Sequence, residues 1–143
     1  MREHTRATLV AAGWRPDRAV SVDRAVRALH GAGHMVWPGL LDFLKRFVGL
    51  HVSFEVGDQA DWFWFDPERA IALCWASWVD EYKARAGQVV VPIGYGARDH
   101  MLLLLGEDGT WFGGYDDVVG VLGYDVEGML DALVEGREFL EVL

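Results

Sequence analysis

Six groups of residues in this chain are of the types that do chemistry, and their spacing fails each of the reactions they suggest. His30 and His34 stand four apart, the spacing that puts two metal ligands on one helix face. The run is His-Gly-Ala-Gly-His, however, so two glycines argue against a helix, and Gly31 stands where a zinc protease carries its glutamate. No third ligand suggests itself. The serines are Ser21, Ser53 and Ser77, and none sits in a G-x-S-x-G elbow. Cys74 falls within an expected helix and has no neighbour that would ionise it, so it reads as packing. Gly94-Tyr95-Gly96 has two glycines of a dinucleotide fingerprint but lacks the third and the helix that should follow, so it reads as a turn. The lysines are Lys45 and Lys83, and neither sits in a phosphate-binding loop. Asp116-Asp117 and Asp80-Glu81 are adjacent pairs, which diverge on a helix or a strand and read as solvated faces. No catalytic, cofactor-binding or metal-binding residue is therefore expected.

Composition and charge bound the class of protein and exclude several partners. With 143 residues, 52% of them apolar, the chain is long enough for one domain with a substantial core. It holds no apolar run of membrane-spanning length and no signal-peptide-like start, so a cytoplasmic protein without a membrane partner is expected. One cysteine excludes an internal disulfide and fits a reducing compartment. The net charge is −9, unevenly placed: residues 1–53 carry eight Lys/Arg against four Asp/Glu (+4), and residues 54–143 carry five against eighteen (−13). Such acidity suits a basic partner and makes a poor match for nucleic-acid phosphates; equally, it serves solubility.

The elements that must position these residues follow from periodicity. The organising stretch is Gly87 to Gly114, read as three short strands: Val89 to Ile93, bounded by Gly94-Tyr95-Gly96; His100 to Leu105, apolar on both faces; and Thr110 to Phe112. Gly106-Glu107-Asp108-Gly109 makes a hairpin between the last two. Pro92 puts the first strand at an edge or marks its end. Before it come helices over residues 3–12, over Val22 to about Ala32 with Ser21 as a cap, and from Pro38 to Gly49, where Leu40, Phe43, Leu44, Phe47 and Val48 keep helical spacing. His51 to Val56 alternates as a half-buried strand, Gly57 to Asp61 is a polar loop, and Trp62 to Phe65 returns as a strand with Trp on one face and Phe on the other. Asp66-Pro67-Glu68 starts a helix with the apolar stripe Ile71, Trp75, Trp78, Val79 and Tyr82, ending near Gly87. After the central strands, Gly113 to Asp117 reads as an acidic, aromatic loop, and Val118 to Leu122 as a helical turn or brief strand. Asp125 caps a last helix that ends at Gly136, and residues 137–143 read as a loose tail.

Several of these residues, taken in order, resemble the third branch of the SUKH superfamily of bacterial immunity proteins. The matching pieces are Gly13-Trp14 with Pro16 and Arg18, then Pro38 followed by Phe43-Leu44-Lys45-Arg46-Phe47-Val48-Gly49-Leu50. Asp66-Pro67, Pro92-Ile93-Gly94, Asp108-Gly109 and Leu122-Gly123 complete the set, over about residues 5 to 136. Val48 departs from the first glycine of the family's Gly-Gly pair. The resemblance implies an α+β fold, a twisted and largely antiparallel sheet flanked by helices, in one domain with 137–143 as tail. It also implies a cytoplasmic protein that binds and blocks a polymorphic toxin, with no catalytic residues to carry over. Toxins of such systems are often nucleases with basic substrate grooves. The acids and rings of two hairpin-like regions then suggest a partner-binding surface made of Asp58, Asp61, Trp62, Trp64, Trp111, Tyr115, Asp116 and Asp117. A non-catalytic ligand-binding or scaffold domain of the same superfold would instead need a deep apolar pocket near Trp75 and Trp78. An enzyme would need converging carboxylates in a cleft. Oligomeric state is not legible.

Overall fold

Period-two alternation from His51 and period-3.6 stripes on either side of it build one sheet with helices on both faces. The structure is a computed structural model that describes residues 1–74, 76–97 and 100–143. The helices are α1 (Glu3–Ala11), α2 (Asp23–Gly31), α3 (Pro38–Phe47), α4 (Pro67–Leu73), α5 (Ala76–Ala86) and α6 (Val126–Glu135). The strands are β1 (His51–Val56), β2 (Gln59–Trp64), β3 (Val90–Gly96), β4 (Met101–Gly106), β5 (Trp111–Tyr115), β6 (Val118–Gly123) and β7 (Glu141–Val142). They lie side by side in chain order, every neighbouring pair antiparallel. The fold is α+β. No helix among the described residues is long and apolar enough to cross a membrane.

The two faces of the sheet bury different residues. On one, Val52, Phe63, Leu103, Leu105, Trp111 and Leu122 join the inner sides of α1, α2, α3 and α6 in the larger core. On the other, Val90, Leu104, Phe112, Val119 and Val121 pack against Tyr82 of α5, with Trp78 beside it. Trp14 stacks on Phe47 at 6.0 Å, and Arg18 donates to the Arg46 and Val48 carbonyls at 2.9 and 2.8 Å, satisfying the C-terminal end of α3. The residues carrying the Gly-Trp…Pro-x-Arg likeness thus hold helix ends and core together.

Several expectations are corrected. The expected helix from Pro67 to Gly87 is two helices, because Cys74 takes an extended conformation (φ −103°, ψ 122°) at the end of α4. Trp75, placed on its stripe, lies outside the described residues. Gly94 and Gly96 are inside β3: a Cβ on Gly94 would stand 2.3 Å from the Trp64 carbonyl oxygen, so this glycine serves close backbone approach rather than a turn. Pro92 sits in an interior strand, and it is tolerated because β2 meets β3 only at Phe63↔Gly96 and Trp64↔Tyr95, beyond the proline. The Gly57–Asp61 loop shrinks to the two-residue turn Gly57-Asp58. The Gly113–Asp117 loop is mostly strand β5, with Asp116-Asp117 as the turn into β6. The tail is docked: Leu140 and Leu143 donate to the Val121 and Val119 carbonyls at 2.8 and 2.9 Å, adding β7 to the sheet edge. Two of the three expected caps stand, Asp66 accepting from the Arg69 amide at 3.2 Å and Asp125 from the Gly128 amide at 2.7 Å, whereas α2 starts after Val22 with no side-chain cap and Ser21 only accepts from the Asp23 amide at 3.4 Å.

Candidate functional site

β2 presents its residues alternately to the two faces, and this divides the surface expected from the sequence. Phe63 points into the larger core, so Asp61 shares its face, opposite Phe54 of β1. Trp62 and Trp64 are on the other face, both half-buried. There they meet Tyr95, with ring centroids at 5.5 and 6.0 Å, and His51, at 5.3 and 5.0 Å. Tyr95 reaches that face because the register of β3 shifts between Pro92 and Gly94; unbroken alternation from Ile93 would turn it inward. Arg69 covers the Tyr95 ring at 5.5 Å.

β5 divides its share in the same way. Trp111 is fully buried, 4.6 Å from Phe43 between ring centroids, so it belongs to the core and not to any contact surface. The reason is its position at the first pair of β5, facing α3, where a large ring fills the interior. Tyr115, at the strand's other end, is 42% exposed and stacked on Phe139 at 6.2 Å and 21°. The turn that follows holds Asp116 at φ 50°, a left-handed conformation that Asp tolerates better than most residues. Its backbone is tied to α5: the Tyr82 hydroxyl donates to the Asp116 carbonyl at 2.8 Å, and Arg85 donates to the Asp117 carbonyl. Asp116 and Asp117 are exposed, as is Asp58 in the β1–β2 turn. Burial pushes the Tyr82 hydroxyl up to about 12.

A groove of about 440 Å³ brings part of the set together: Asp61, Trp62 and Tyr115 border it, over a floor that includes Phe54, Phe63 and Met101. Sequence reasoning missed Phe54, Met101, Glu138 and Phe139 here. Phe54 had a signal, being the apolar member of an alternating strand, whereas Phe139 sat in a stretch with no periodicity.

The chemical groups do not converge. Ser21, Ser53 and Ser77 are all exposed, in the loop before α2, on β1 and on α5. Cys74 is half-buried, and burial pushes its thiol up to about 11, the opposite of activation. α2 ends at Gly31, so His30 is helical and exposed while His34 lies beyond the helix, half-buried. Burial, followed by the charge of Lys83, pushes the His34 imidazole down. Among the described residues no group of three His, Cys, Asp or Glu side chains could hold a metal ion. Glu81 pairs with Arg85 at 2.7 Å along α5 rather than with Asp80. The cleft by Trp78 measures about 180 Å³, small for an organic ligand, for which about 300–1,000 Å³ is usual.

Fold and surface define a class first: an α+β domain whose notable side chains are exposed acids and half-buried rings at strand ends. The SUKH-3 immunity protein family matches residues 1–136, nearly the whole chain. The chain belongs to that family. No curated protein and no solved structure matches it significantly.

Proposed function

We propose that this protein is the cytoplasmic antidote to a polymorphic toxin, which it neutralises by binding and covering it, without catalysis. Membership in an immunity protein family carries the role. A nuclease-type toxin is the best fit, because a protein of charge −9 complements the basic groove with which a nuclease holds phosphates. The binding surface is assigned to Asp58, Asp61, Trp62, Tyr115, Asp116 and Asp117; Trp64, with Tyr95 on the opposite face of the sheet, is left out of it. The observation supporting it is the Asp116-Asp117 turn, whose carbonyls are bound to α5 while its carboxylates remain exposed. Fixed carboxylates steer a basic partner and lose little entropy when it docks.

The test uses the cognate toxin domain that this reading expects in a gene next to this chain's own. Reversing both charges, Asp116→Lys with Asp117→Lys, should slow association and weaken binding by about tenfold or more at low salt, and should flatten the dependence of binding on salt. Affinity and salt slope equal to wild type would remove this turn from the interface.

A further inference from the structure

The groove beside Tyr115 carries an inference that rests on this reading of the function and makes it more specific. α6 is capped by Gly136, and past its end the inner face of the sheet is open over Phe54 and Met101, with the buried Phe63 beneath. Asp61 stands on one side; Tyr115, Glu138 and Phe139 bound the other. Arg137 is the one cation among the described residues lining the groove, and its guanidinium lies 2.5 Å from the Glu135 carboxylate. The remaining charges among the described residues lining it are Asp61 and Glu138, with Asp116 and Asp117 directly after Tyr115. The wall is already formed. Phe139 lies over Gly120 and Gly113, where added Cβ atoms would come within 2.3 and 2.8 Å of its ring, and Tyr115 stacks on it from outside.

We infer that this groove seats an apolar side chain of the toxin flanked by lysine or arginine, and that it is the anchor point of the complex. A preformed apolar pocket with a charged rim is where a few residues carry most of the energy of an interface. Charge selects the occupant: a second copy of this chain would bring its own −9 to an acidic rim, whereas a basic segment meets complementary charge on both sides of its apolar anchor.

Calorimetric titration of that cognate toxin domain tests it, using wild type, Glu138→Lys, Tyr115→Ala and, as a control, Asp42→Lys on α3. Glu138 and Asp42 are both exposed, so neither reversal should disturb folding, and melting temperatures check this. Glu138→Lys and Tyr115→Ala should each weaken binding about tenfold, and Asp42→Lys less than about twofold. Wild-type binding with both groove variants within twofold of it would overturn the groove and leave the toxin reading standing. No binding by wild type would overturn both. A wild-type dimer in sedimentation that Glu138→Lys dissociates would assign the groove to a second copy and overturn the proposal.

Discussion

Gly94 decides where the aromatic residues of this protein face. It lies at the register shift of β3, against the Trp64 carbonyl, and the shift sends Ile93 into the larger core and Tyr95 to the opposite face beside Trp62 and Trp64. The three atoms nearest to a Cβ added there, at 2.3 to 3.1 Å, are backbone atoms of Trp64 and Phe65, which can move only by breaking a β2–β3 pairing two residue pairs long. Gly94→Ala should therefore lower stability by about 3 kcal/mol, at the upper end for overpacking, in urea denaturation. A loss under about 0.5 kcal/mol would mean that β2 and β3 tolerate separation. In the sequence this glycine looked like part of a turn, since a one-residue register shift leaves no trace in composition. Trp111 escaped for a related reason: ring type is the same in a core and at an interface, and only its place at the α3 end of β5 separates it from Tyr115. The Trp/Phe alternation of 62–65 was legible because period two alone fixes which face each ring takes.

Elements with strong local signals stand as the sequence suggests. α3 begins at Pro38 and α6 between Asp125 and Gly136, because caps, an N1 proline and an uninterrupted apolar stripe agree there. The C-terminal segment had no such signal, because its structure comes from long-range pairing to β6 and from one ring resting on two glycines. That contact gives the tail a function as the outer wall of the groove. Phe139→Ala should cost about 2 kcal/mol, less than for a fully buried ring because Phe139 keeps some exposure. It should also increase protease cleavage within 137–143 and weaken toxin binding together with stability. Unchanged denaturation and unchanged proteolysis would show that the tail does not depend on this ring.

The whole molecule is polar in its distribution of charge. Its first 53 residues, +4, supply α1, α2, α3 and the start of β1; the remainder, −13, supplies nearly all of the sheet and the hairpin turns where Asp58, Asp116 and Asp117 are exposed. The charge imbalance was visible in the sequence, and so were the acids and rings. Their division between two faces of β2 and the groove past α6 required the register. The family is one of immunity proteins, and binding without turnover is the proposal made for this member. Action by occupancy makes a quantitative demand that action by turnover does not. The most direct measurement is to titrate the activity of the proposed cognate toxin, sought in the neighbouring genes, with the purified protein, at a toxin concentration far above the dissociation constant. The account predicts a linear fall to zero activity at a fixed stoichiometry near one molecule per toxin. Complete inactivation by a small fraction of an equivalent, or full toxin activity in excess protein, would contradict it.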